Sequence, residues 1–170
     1  MKNTLFVLLS LIAFSQIFSQ QKPGWSLVFH DEFDSVKLDY VKWMDEFPWG
    51  RHVCSTHDYS YCTAGKNTSV SNGILTIITR KESIKEKAVG YEPNDKILCD
   101  NKPNYRIFDY TTAMLYSRQE FLYGYFEMSF KVSKGKGLWP AFWLYGPDAD
   151  EIDIFEMSGT QEGILKTNIH

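Results

Sequence analysis

The chain has 170 residues, a net charge of −3 and an aromatic share of 16%. That mildly acidic balance argues against a nucleic-acid partner, which selects a basic face, and the absence of repeats or low-complexity tracts excludes solenoids and linker-like chains. The aromatic surplus favours stacking surfaces over recognition by charge.

Residues 1–19 read as a secretory signal: Lys2, an apolar run over 5–18, then Ser19 and Gln20. The run is short for a membrane span and no stop-transfer pattern follows. With no Cys at the cleavage point, a lipid anchor is not indicated. A secreted or periplasmic product is expected, free of the membrane once the signal is removed.

Beyond the signal, strands are predicted at 26–29, 69–70, 74–79, 113–117, 124–131, 141–144 and 151–156, because these segments alternate or are rich in β-formers between Gly and Asn punctuation. No segment sustains a helical period. Asn72-Gly73 between Val70 and Ile74 predicts a two-residue hairpin turn. Short strands throughout mean a sandwich or barrel.

Two stretches resist this pattern, and both are expected to be long surface loops: 45–66, polar, aromatic and Cys-bearing, and 81–109, charged and carrying Pro93 and Pro103. On the first, Trp49 and Arg51 are candidates for a binding wall, with the Arg meeting hydroxyls or an anion. A loop anchored by a half-buried Trp explains them as well. Cys54, Cys62 and Cys99 allow one intramolecular bridge at most, and its pairing is open. With His52 and His57 they match no usual zinc spacing, so a loop staple is preferred.

An aromatic run, Gly137-Leu138-Trp139-Pro140-Ala141-Phe142-Trp143-Leu144-Tyr145-Gly146, leads into the acids. Trp139 and Trp143 offer flat apolar faces with a polar N–H, suited to the C–H faces of sugar rings, although either could equally be core.

Glu151-Ile152-Asp153-Ile154-Phe155-Glu156 alternates acid and apolar residues, then breaks step by one. A bulge near Ile154 and Phe155 would bury Phe155 and return Glu156 to the face of Glu151 and Asp153. The two outer Cα atoms then lie roughly 15 Å apart, and side chains leaning inward bring the carboxyls within about 5–6 Å, the spacing of a retaining glycosidase pair. One Glu would attack the anomeric carbon, the other would act as acid and base, and Asp153 would raise their pKa and orient one of them. Spacing alone leaves the roles of Glu151 and Glu156 open. Calcium held by Asp148, Asp150, Asp153 and Glu156 is the competing reading, but Ile152 stands at an EF-hand ligand position and Asp153 where Gly is needed.

Together, Gly-Leu-Trp-Pro-Ala-Phe-Trp and E-I-D-I-F-E resemble the signature of glycoside hydrolase family 16. Similar patches are Leu27-Val28-Phe29-His30-Asp31-Glu32-Phe33-Asp34 with Trp43, Val70-Ser71-Asn72-Gly73-Ile74-Leu75 and Tyr123-Gly124-Tyr125-Phe126-Glu127. The resemblance implies a β-jelly-roll sandwich of two curved antiparallel sheets with a glycan cleft. It also implies a retaining mechanism with Glu151 as nucleophile, Asp153 as its helper and Glu156 as acid/base, and places His170 on a cleft-lining strand. The bulged six-residue form is that of laminarinases and marine galactan hydrolases. Residues 20–170 are therefore expected to be the N-terminal part of a catalytic domain that lacks C-terminal strands, so that the 170-residue product by itself aggregates or unfolds and is inactive.

The expected function is that of an endo-acting hydrolase of β-1,3-glucan. The alternatives are agar, carrageenan or porphyran hydrolysis, a glycan-binding jelly roll without turnover, and a calcium-stapled structural sandwich. No cofactor is expected to be required, a structural calcium has no placeable ligands, and a monomer is expected.

Overall fold

The computed structural model describes residues 22–47, 50–52, 58–88, 105–146, 150–161 and 163–170. The chain divides into two units, Met1–Phe121 and Leu122–His170. Among the described residues every regular element is a strand, as expected: β1 (Trp43–Met44), β2 (Ser60–Cys62), β3 (Thr68–Ser71), β4 (Ile74–Ile77), β5 (Arg80–Lys87), β6 (Tyr105–Thr112) and β7 (Tyr116–Ser117) in the first unit, and β8 (Ala141–Tyr145), β9 (Glu151–Glu156) and β10 (Lys166–Ile169) in the second. The signal reading falls outside the described residues.

In the first unit β1 pairs with β7, β3 with β4, and β6 lies between β2 and β5. All of these pairs are antiparallel except β2 with β6, which is parallel. The β3–β4 turn is the predicted one: Ser71 faces Ile74, and Asn72 and Gly73 sit at φ 53° and 73°. Both central residues at positive φ give the turn the twist that a tight hairpin needs.

The largest departure from expectation is the stretch 81–109, read as loop, which contains most of the β5–β6 ladder. Arg80-Lys81-Glu82-Ser83-Ile84-Lys85-Glu86-Lys87 looks like a solvated run. Yet one side packs: Ile84 meets a small core of Ala88 and fully buried Phe108, joined by Tyr61. Half the residues of a one-sided strand face water, so charge along it does not forbid pairing. The stretch 45–66 likewise holds β2 and an isolated Phe47–Gly50 bridge. Conversely, 26–29 and 124–131 lie outside any strand, and only 116–117 of the predicted 113–117 pair. Assignment as a strand requires a laddered neighbour, which β-propensity alone does not supply.

Asn67, fully buried, holds the sheets of the first unit together. Its side chain accepts from Thr63 Oγ1 and donates to the Ile78 carbonyl at 2.7 Å and to Thr111 Oγ1 at 3.0 Å. Thr111 in turn donates to Glu82. Each buried polar group here has a partner, which removes the penalty of burying it. At the start of the unit Trp43 stands edge-on to Phe29, stacks over Phe33 and donates Nε1–H to Asp31 at 2.8 Å.

Cys62 is buried with a free thiol, which burial pushes up to a pKa of about 12. The staples that would use Cys62 are therefore not made, while Cys54 and Cys99 lie outside the described residues. His52 is buried against Phe108 at 4.7 Å, with Nδ1 3.1 Å from the Ser60 carbonyl. Burial, and then the nearby Arg106 charge, hold its pKa below the usual histidine value, against smaller opposing effects from the Ser60 carbonyl and Asp58.

As pH falls through about 6.5 the unfolded chain takes up a proton that folded His52 resists, so stability present above that pH is lost below it. Thermal melts from pH 7.5 to 5 should show a smaller fall for His52→Gln than for the unaltered chain. Equal slopes would remove His52 from that account.

Candidate active site

β9 is the middle strand of the second unit's sheet, antiparallel to β8 on one side and β10 on the other. Against β8, Phe155 faces Phe142 while Asp153 faces Trp143. Ile154 is thus the extra residue. Against β10, Glu156 faces Lys166 and Asp153 faces Asn168, with the same break between them. The bulge expected from the broken alternation is present on both sides of the strand.

Its consequence is a division of faces. Phe155 is buried, stacked on Phe130 at a ring separation of 4.2 Å and set at an angle to Phe142 at 6.3 Å. Directly opposed residues of an antiparallel pair share a face. Tyr145 pairs with Glu151, Trp143 with Asp153 and Ala141 with Glu156 on the β8 side, while Lys166 and Asn168 pair on the β10 side. The backbone amide of His170 continues that ladder, donating to the Glu151 carbonyl at 2.9 Å.

Trp139 reaches the same face from the preceding loop, donating Nε1–H to Glu156 Oε1 at 2.9 Å. It is held there because the loop is zipped to the segment after β9. Gly135 N donates to Gly159 O at 3.0 Å, Gly159 N to Leu138 O at 2.8 Å and Met157 N to Pro140 O at 3.0 Å. The Lys166 ammonium lies 5.4 Å from the centre of the Trp139 ring, within cation–π range. Trp143 sits edge-on to Tyr145 at 5.6 Å.

Asp153 is 2% exposed at the centre of the cluster. No described backbone amide or hydroxyl donates to either of its oxygens. Facing them are His170 Nε2, 3.3 Å from Oδ2, and the carboxyl of Glu151, with which a hydrogen bond forms only when one of the two acids holds a proton. Asn168 Nδ2 lies 2.9 Å from the same His170 nitrogen. Ligand atoms of Glu151, Asp153 and His170 all lie within 4.8 Å of one another. Burial first, and then the charge and hydrogen bond of Asp153, hold the Glu151 pKa above the ordinary carboxylate value; His170 works against this and Glu156 adds to it.

The structure thus brings together Glu151, Asp153, Glu156, Trp139, Trp143 and His170 within one unit. Arg51 belongs to the other unit, where its guanidinium meets the Asp45 carbonyl at 2.9 Å, the Asp45 carboxylate at 3.1 Å and Glu46 at 3.0 Å. Its visible contacts hold a loop. Trp49, like Asp148 of the calcium reading, lies outside the described residues. Tyr145, Lys166 and Asn168 were not among the candidates. Period-two alternation from Trp143 and from His170 would have found them, once β8 and β10 were recognised as the neighbours of β9.

A sheet face with three acids, a histidine and flanking indoles is the arrangement expected of a glycoside-hydrolase centre. The family model described as Glycosyl hydrolases family 16 matches residues 55–170, and the chain belongs to that family. It is 30% identical to a beta-glucanase of Rhodothermus marinus over all of this chain and 58% of that protein. It is 37% identical to a glucan endo-1,3-beta-glucosidase of Cryptopygus antarcticus over 86% of this chain and 51% of that one. A kappa-carrageenase of Pseudoalteromonas carrageenovora is 30% identical over 96% of this chain and 42% of its own length.

Among solved structures, the catalytic domain of an endo-1,3-beta-glucanase (laminarinase) from Thermotoga petrophila RKU-1 superposes with a TM-score of 0.59 at 29% identity, covering 86% of this chain and 56% of that one. This likeness bears out the β-jelly-roll class. The chain thus spans about half the length of these three relatives, from 42% to 58%.

Proposed function

We propose that this chain carries the catalytic centre of an exported, retaining endo-glycoside hydrolase that cleaves β-1,3-glucan of laminarin type. The observation that carries the reading is the Ile154 bulge, which sets Glu156 on the face of Glu151 and Asp153 while Phe155 turns into the core. In this reading Glu151 attacks the anomeric carbon as Glu156 passes its proton to the departing glycosidic oxygen. Glu156 then takes a proton from the water that releases the sugar from Glu151. Asp153 shares a proton with Glu151 or orients it, and Trp139 both stacks sugar and fixes Glu156. No resident cofactor is needed for these steps, and a monomer suffices.

The names of the relatives support glucan as substrate. The carrageenase relative, together with Lys166 on the acidic face, favours a sulfated galactan as the second reading. Incubating the full-length gene product with laminarin, κ-carrageenan and agar, with sizing of the products, separates these outcomes. Oligosaccharides from laminarin are expected. A folded product that releases sugar from none of the three sinks the proposal.

Deletion of Ile154 tests the geometric core of the reading. It leaves Glu-Ile-Asp-Phe-Glu, in which plain alternation still places all three acids on one face and the Phe opposite. The deletion variant should keep measurable sugar release. If it is as inactive as Glu156→Gln while still folded, the bulge does more than restore facing.

A further inference from the structure

The cluster of Glu151, Asp153 and His170 is more than an acid pair: it is a mixed oxygen and nitrogen donor set. We infer that it forms a site for a zinc-like divalent cation, and that the cation, once bound, inhibits the enzyme reversibly by occupying its nucleophile. The inhibition rests on the proposed hydrolase reading; the binding does not.

Four observations carry this. Ligand atoms of the three side chains already lie within 4.8 Å of one another. His170 Nε2 and Asp153 Oδ2 are 3.3 Å apart, which is the edge of a tetrahedron whose metal–ligand bonds are about 2.0–2.1 Å. Asp153 is 2% exposed, and its two carboxyl oxygens face only the other two members of the cluster, with no described backbone amide or hydroxyl donating to either. Finally, the three donors come from adjacent laddered strands, so their spacing is held by the sheet rather than by a mobile loop.

The donor chemistry selects the ion. One imidazole and two carboxylates with a fourth position open suit zinc, whereas calcium takes six to eight oxygens and magnesium keeps its water in an octahedron. Glu151 supplies the third ligand, its carboxylate oxygen already within 4.8 Å of the other two donors. The Asn168 amide, 2.9 Å from His170 Nε2, is the group the metal displaces from that nitrogen. A metal on Glu151 ties up the electron pair needed for attack on the sugar. Substrate and ion therefore exclude one another.

The test is isothermal titration of zinc chloride alone into the chelator-treated full-length protein, accompanied by laminarin assays at rising zinc. Saturable binding at the stoichiometry of one site is expected, weakened at least tenfold in His170→Ala and in Glu151→Gln, with circular dichroism confirming that both variants are folded. Sugar release should fall with zinc and return with chelator, and higher laminarin should relieve the inhibition. No saturable binding, or binding unchanged in His170→Ala, overturns the site. Zinc binding with those variant effects, but no sugar release from the metal-free protein, would leave the site standing and remove the hydrolase reading instead.

Discussion

Glu151→Gln in the full-length protein is expected to lower kcat on laminarin by about 10⁴-fold or more while leaving the fold unchanged, the scale on which loss of a covalent nucleophile is felt. The amide matches the carboxylate in size, so the sheet is not disturbed, but it cannot attack the anomeric carbon. Small-anion rescue separates the two Glu roles. With azide, Glu151→Gly should yield the glycosyl azide of inverted configuration, and Glu156→Gly the retained one. The opposite pattern would exchange the two assignments.

The same residue sets an expectation for pH. Glu151 must be ionised to attack, and burial beside Asp153 holds its pKa above the usual carboxylate value. Activity is therefore present above that raised pKa and lost as pH falls through it, so the acid limb of kcat/KM should lie above the range of an ordinary exposed Glu. His170 opposes the upward shift. Its removal in His170→Ala should move the limb further toward neutrality, and a limb that stays put would disconnect the histidine from the nucleophile.

Gly159→Ala is expected to be the most disruptive single methyl group in the second unit. A Cβ there would stand 2.1 Å from the Gly135 carbonyl oxygen and 3.1 Å from Leu138 Cβ. The first of these is backbone and cannot swing away. Relief requires separating the two segments, which breaks the hydrogen bonds joining Gly135, Leu138 and Gly159. Overpacking and two lost bonds together cost about 3 kcal/mol, or roughly 10 °C in Tm. Because the same zipper presents Trp139 to Glu156, sugar release should fall along with stability. A variant that melts within a degree or two of the parent and remains fully active would contradict the close approach.

The legible parts of the site were those in which local covalent pattern dictates orientation. Six consecutive residues, Glu151–Glu156, announce their own bulge, because a strand has only two faces and Phe155 could reach the apolar one only if the chain slipped by a residue. Asn72-Gly73 was legible for a related reason, since few residue pairs accept two positive φ values. Arg80–Lys87 was not legible: its charges describe the wet side of a strand whose other side is chosen by Phe108 and Ala88, far away in sequence. For Arg51 the sequence did not choose between roles, because guanidinium chemistry suits a sugar hydroxyl and an Asp equally well. Its contacts with Asp45 and Glu46 depend on how the loop closes.

By itself the sequence determined which face each residue of Glu151–Glu156 takes, that the acids are grouped, and that indoles stand near them, because alternation and its single interruption are properties of neighbouring residues. Only tertiary structure decided that Asp153 is buried between Glu151 and His170, that Trp139 holds Glu156, and that Lys166 and Asn168 share the face. Those outcomes depend on which strands lie beside β9 and in what register, a choice made by packing and ladder hydrogen bonds between segments that are distant along the chain.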